Sequence, residues 1–203
     1  MTRIKLCGIM SERDASATDR LKPEYAGFVF FRKSRRYVSP EKAKALRALI
    51  DPSVCTVGVF VDESPDIIAG LISDGIIGMV QLHGHEDREY ISHLRSLTDK
   101  PIIHAFRISS SEDVKRAECS SADHILLDSG SGGTGKVFNW ELIHSVKRTY
   151  FLAGGLDPKN VQKAIETLHP FAVDVSSGIE TDGHKDIDKM AAFVRSVRSG
   201  SSI

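Results

Sequence analysis

The sequence has little that would mark it for a membrane, a nucleic acid or an oxidising compartment. Lys plus Arg number 27 and Asp plus Glu number 27 in 203 residues, so no overall field draws nucleic acid or an anionic bilayer to it nonspecifically. No apolar run approaches the roughly 18 residues of a spanning helix, and the opening MTRIKLCGIM lacks the apolar stretch of a secretory leader. The expected setting is cytoplasmic. Cys7, Cys55 and Cys119 are odd in number, far apart and without CxxC spacing, so neither a disulfide framework nor a metal site is expected. No Pro/Gly/Ser-rich linker divides the chain, and residues 1–203 read as one domain. With 41% hydrophobic and 27% charged residues the composition is that of an ordinary globular protein, and small molecules become the expected partners.

What is present is an alternation of β-rich and helical segments along the whole length. RIKLCG, YAGFVF, TVGVFV, GMVQLH, IIHAFR, HILLDS, TYFLAG and FAVDVSS are nearly continuous apolar runs, the pattern of parallel strands covered on both faces. Ser39-Pro40, Ser64-Pro65 and Asp157-Pro158 each offer a capping oxygen followed by proline, and predict helix starts. Val161, Ala164, Ile165 and Leu168 then repeat at i, i+3, i+4, i+7, and Ile187, Met190, Ala191, Val194 and Val197 do the same near the end. The segments after the first and fifth strands, SERDASATDRL and SSEDVKRAEC, have poor apolar faces, and one of them is expected to be short or irregular. Eight βα units at a spacing of about 25 residues predict a closed (β/α)8 TIM barrel, in preference to an open doubly wound sheet. RSGSSI at the end reads as a frayed tail.

In such a barrel chemistry gathers where strands end. Cys7 ends KLCG; burial statistics favour a small apolar residue there, while a thiolate can also serve as a general base where neighbouring charge stabilises it. Cys55 and Cys119 keep the structural reading. In HILLDSGSGGTGKVFNW, Asp128 stops an apolar run, either capping a turn or presenting an acid in a partly dry pocket. The glycines after it, Gly133 among them, permit close backbone approach but match neither GxxxxGK[ST] nor GxGxxG. LAGGLDPKN and VDVSSGIE follow strands seven and eight, where barrels often hold phosphate on backbone N–H groups. FRKSRRYVSP crowds four cations into five positions, a solvated loop unless one guanidinium turns to a substrate carboxylate. His83 in VQLHGHED takes a supporting role.

Together, KLCGIM, SRRYVSP, VGVFVD, VQLHG, LLDSGSGGTGKVFNW, FLAGGLDPKNV and VDVSSGIETDGHKD resemble the phosphoribosylanthranilate isomerase family of tryptophan biosynthesis, in order and over essentially the whole chain. The resemblance implies Cys7 as general base, Asp128 as general acid and Arg36 on the anthranilate carboxylate. It also implies substrate contacts from His83 and Asp174, and phosphate contacts from Gly133, Gly154, Gly155, Ser177 and Gly178. The implied reaction is an Amadori rearrangement of a phosphosugar, without cofactor or metal, by a monomer or homodimer. A different phosphosugar barrel would share the phosphate end, but the paired aspartates and half-barrel repeat of histidine-pathway isomerases are not evident. A non-catalytic phospho-ligand barrel is the other class; an acid and a base both at strand ends argue against it.

Overall fold

The strands β1 (Arg3–Cys7), β2 (Tyr25–Val29), β3 (Cys55–Phe60), β4 (Met79–Leu82), β5 (Ile102–Arg107), β6 (His124–Asp128), β7 (Tyr150–Ala153) and β8 (Ala172–Val175) coincide with the eight apolar runs of the sequence. In the computed structural model, which describes residues 1–128 and 140–199, they pair in parallel in sequence order, and β1 pairs with β8 to close the barrel. The sides of the strands alternate. Tyr25, Met79, Ile103, Leu126 and Phe151 belong to one packed cluster within the barrel. Ile4, Phe28, Val80, Ile125 and Val173 belong to another, which the helices complete. The division into two apolar layers is why the runs read as continuous rather than alternating.

The helices are α1 (Glu12–Leu21), α2 (Pro40–Arg47), α3 (Pro65–Ser73), α4 (Arg88–Leu97), α5 (Ser111–Glu118), α6 (Val161–Leu168) and α7 (Ile187–Ser199). None is long and apolar enough to cross a membrane. Both segments with weak apolar faces form regular helices, and each starts at a reciprocal cap. Ser11 Oγ accepts from Asp14 N at 3.1 Å while Asp14 accepts from Ser11 N, and Ser110 and Asp113 repeat the arrangement. Polar nucleation substitutes there for a wide apolar stripe. Cys55 opens β3, and Cys119 stands just past α5 as its C-cap, exposed.

Ser39 and Ser64 precede the prolines that open α2 and α3, although only Ser39 makes a side-chain cap bond. The start predicted at Asp157-Pro158 is displaced: α6 begins at Val161 with Asn160 as N-cap. Asp157 Oδ1 instead accepts from the backbone of Lys159 and Asn160, and Asn160 Nδ2 donates to Gly155 O at 2.8 Å. The aspartate builds a turn that ties the helix to the strand-seven loop. The sixth unit also departs from the pattern. Among the described residues it shows a 3-10 turn, Trp140–Ile143, where an α-helix is predicted; residues 129–139 before it lie outside the described part. After β8 come a 3-10 turn, Ser177–Ile179, and a small hairpin of β9 (Glu180–Thr181) and β10 (His184–Lys185). The last four residues, 200–203, lie outside the described part, as does most of the loop after Asp128.

Because α1 has a weak apolar face, its cap carries an unusual share of its stability. Ser11→Ala is expected to lower unfolding free energy by about 1 kcal/mol, read as a lower urea midpoint at unchanged slope. A midpoint equal to that of the parent protein would show that the cap is dispensable.

Candidate active site

A cavity of about 290 Å³ opens at the C-terminal ends of the strands. It brings together most of the residues expected from the sequence: Cys7 of β1, Arg36 after β2, His83 after β4, Asp128 ending β6, Gly154 and Gly155 after β7, Asp174 of β8 and Ser177 beyond it. Gly178 is not on its wall. A Cβ there would lie 1.9 Å from Leu156 O, so this glycine serves the contact between the loops after β7 and β8. Gly133 lies outside the described residues.

Cys7 is buried at 8% exposure. Its place is made by β2: Gly27 is its partner in register, and a Cβ on Gly27 would come 2.7 Å from Cys7 Sγ. A glycine inside an apolar strand such as YAGFVF is the sequence signal that could have found this close approach. Burial pushes the Cys7 thiol above its ordinary range, Lys5 and Lys185 pull it down, and Asp174 opposes them. Across the mouth, Asp128 is partly exposed, with His83 Nε2 3.8 Å from its Oδ2. That separation is too long for a hydrogen bond.

The cationic loop divides its arginines. Arg36 is on the cavity wall with its side chain 20% exposed, whereas the Arg35 side chain is 60% exposed and off the wall. Both meet Glu180 of β9: Arg36 Nε and Nη2 donate at 2.6 and 2.9 Å, and Arg35 Nη2 donates at 2.8 Å. Lys185 of β10 adds a bond of 2.8 Å. One buried carboxylate therefore gathers three cations. The bidentate grip holds the Nε–Nη2 edge of Arg36 and fixes the plane of its guanidinium. Burial works against the charge of Glu180, and bonds from Arg36 and Lys185 more than offset it, holding the carboxyl below its usual range.

The opposite end of the cavity is different in kind. Gly154 and Gly155 have φ of +86° and +67°, conformations that side chains resist, and neighbouring Leu156, Ser176 and Ser177 add no charge to the wall. The wall there is backbone and hydroxyl, suited to an anion held by N–H dipoles. Gln81, 2% exposed on the cavity wall, has an Oε1 with no hydrogen-bond partner among the described residues. Such an acceptor is open to a donor group entering the cavity. Glu180, Lys185 and Gln81 are not among the residues expected from the sequence, since nothing in their local pattern separates them from surface or core residues.

Residues 4–196 match the family model of N-(5'phosphoribosyl)anthranilate (PRA) isomerase. N-(5'-phosphoribosyl)anthranilate isomerase of Endomicrobium trichonymphae is 40% identical, the match covering 98% of this chain and 100% of the relative. The Thermotoga neapolitana protein of that name is 42% identical, covering 98% and 99%. Among solved structures, phosphoribosyl anthranilate isomerase from Thermotoga maritima is 39% identical with a TM-score of 0.90, covering 98% of this chain and 100% of that one. A phosphoribosyl anthranilate isomerase in complex with reduced 1-(o-carboxyphenylamino)-1-deoxyribulose 5-phosphate, 38% identical, superposes with a TM-score of 0.87 at the same coverages.

The Glu180 cluster predicts acid sensitivity. A carboxyl held below its unfolded value adds stability that is present above that value, near 4.5, and is lost as pH falls below it. Glu180→Gln is expected to cost roughly 2–4 kcal/mol at neutral pH and to flatten the loss of stability on acidification, both read from urea midpoints at pH 7 and below pH 4.5. Parallel acid limbs in the two proteins would remove Glu180 from this role.

Proposed function

The chain belongs to the N-(5'-phosphoribosyl)anthranilate isomerase family, and we propose that Cys7 and Asp128 perform its reaction as general base and general acid. The reaction is the aldose–ketose isomerisation of tryptophan biosynthesis, in which N-(5-phosphoribosyl)anthranilate becomes 1-(o-carboxyphenylamino)-1-deoxyribulose 5-phosphate. The observation that carries the assignment is that the ends of β1 and β6 open into one cavity bounded by a guanidinium at one end and glycine backbone at the other.

Asp128 protonates the ribose ring oxygen, and cleavage of the C1–O bond leaves an iminium on the anilino nitrogen. That cation makes the proton on C2 acidic, and the Cys7 thiolate takes it. The resulting enolamine shifts to the ketone, so the oxidation of C2 is matched by the reduction of C1. Acid and base suffice for every step, and the route calls on no metal or cofactor. His83, 3.8 Å from Asp128 on the same cavity wall, contacts the substrate. Arg36 takes the anthranilate carboxylate on the part of its fork that Glu180 leaves. Gly154, Gly155 and Ser177 hold the phosphate, with Gly178 keeping their two loops together; Gly133, outside the described residues, adds a phosphate contact. Asp174 and Gln81 meet the sugar from the cavity wall. The even charge balance supports a small phosphosugar as partner rather than nucleic acid or membrane. The enzyme acts in the cytoplasm as a monomer or homodimer.

Cys7→Ala and Asp128→Asn are each expected to reduce turnover by roughly 10²-fold or more while a product analogue still binds. Loss of anthranilate fluorescence from fresh substrate follows the rate, and near-normal turnover in either variant would remove that residue from its role.

Arg36→Met is expected to weaken the anthranilate half of the substrate more than Arg35→Met does; the reverse order in KM would give the carboxylate to Arg35. Gly155→Val is expected to weaken substrate and inorganic phosphate together. Unchanged phosphate binding in that variant would put the anion elsewhere.

A further inference from the structure

Two buried ammonium groups close to Cys7 take no part in the proton transfers of the reaction. Lys5 lies two residues before Cys7 on β1, so strand alternation points both side chains to the same side of the barrel wall. Its side chain has no exposure, and Nζ lies 3.1 Å from Asp174 Oδ1, whose residue is its register partner on β8. Lys185 comes from the other side, also with no side-chain exposure. Its Nζ donates to Ser176 O at 3.0 Å and contacts Ser176 Oγ at 3.3 Å, and that hydroxyl donates to Cys7 O at 3.1 Å. The position a Cβ would take on Gly8, the next residue, is 3.4 Å from Lys185 Nζ and 2.6 Å from Arg36 Cδ.

These charges do not cancel among themselves. Lys5, Lys185 and Arg36 are three cations, and the carboxylates they pair with, Asp174 and Glu180, are two. Arg35 adds a fourth cation at the exposed side of Glu180. Asp128 and His83 face the group from across the mouth. The side chain that can become an anion in the middle of this set is Cys7. We propose that Lys5 and Lys185 are positioning residues for the base, two fixed ammoniums that stabilise the Cys7 thiolate from below and beside it. Asp174 holds Lys5 above its ordinary range, Glu180 supports the charge of Lys185 against a burial that pulls it below its own, and the excess positive charge falls to the sulfur. Both lysines favour the Cys7 anion, against the cost of burial and the opposing charge of Asp174.

The inference rests on Cys7 as the base, but its test reads the thiol without turnover. In a Cys55→Ser, Cys119→Ser background, the pH midpoint for alkylation of Cys7 by iodoacetamide is measured. Lys185→Met is expected to raise it by about one unit, roughly tenfold less thiolate at a given pH below the midpoint, and Lys185→Arg is expected to restore most of the shift. The acid limb of kcat/KM should move with the midpoint. A second measurement needs no lysine substitution: with 13C-labelled lysine, the Cε resonances of Lys5 and Lys185 are expected to move at the Cys7 midpoint and to lose that step in Cys7→Ala. A folded Lys185→Met protein with an unchanged midpoint overturns the proposal, as do lysine resonances indifferent to Cys7. Normal turnover in Cys7→Ala would instead overturn the base assignment, leaving the electrostatic link intact.

Discussion

The pairing of β1 with β8 is the constraint on which the site depends. It joins segments about 170 residues apart in sequence, and its register sets Lys5 opposite Asp174 and Leu6 opposite Val175. Without that seam the thiol of Cys7 would have its own strand, β2 and Val59 of β3 for surroundings. With it, the cysteine acquires a carboxylate-bound ammonium below and the Ser176–Lys185 bonds beside it. A closed barrel has no edge strand at which such an arrangement could slip, and a one-residue shift would turn Lys5 and Cys7 away together.

The same closure explains why the two ends of the cavity differ in chemistry. The loops after β7 and β8 are neighbours and form a rim of glycine backbone and serine. The basic loop follows β2, on the far side of β1, and reaches the cavity through Arg36. Glu180 draws the hairpin after β8 across to that loop, so one carboxylate both orients the arginine and anchors Lys185. A guanidinium fixed in its plane suits a flat carboxylate, and backbone N–H groups suit a phosphate. The strands meanwhile carry Cys7 and Asp128, the proposed base and acid, on rigid supports, where small displacements are resisted by packing on both faces.

Burial has opposite effects within this small volume. It disfavours the Cys7 anion, yet it strengthens every charge that favours it, because the same dry surroundings leave the ammonium groups little solvent to screen them. Net positive charge next to a thiol is therefore more effective here than it would be at the surface. The glycines contribute sterically, since Gly27 leaves room for the sulfur and Gly178 lets two loops meet.

How much of this was legible in the sequence follows the range of the interactions. All eight strands were visible because a strand covered on both faces needs an unbroken apolar run, and the caps at Ser39 and Ser64 lie beside the helices they open. Asp157 misled because a capping residue and a turn-forming one look the same until Asn160 folds back to Gly155. Cys7, Arg36, His83, Asp128, Asp174, Gly154 and Gly155, which the cavity brings together, could be named from motifs at strand ends, whereas Gly178 lies off its wall. What the sequence determined by itself was thus the order of elements and the residues placed at their ends, which depend on local periodicity and turn chemistry. Only the tertiary structure decided that Arg36 rather than Arg35 enters the cavity, that Glu180 binds both, and that Lys5 and Lys185 flank one thiol. Those pairings join residues up to 169 positions apart, and no local pattern encodes which distant charge a buried group will meet.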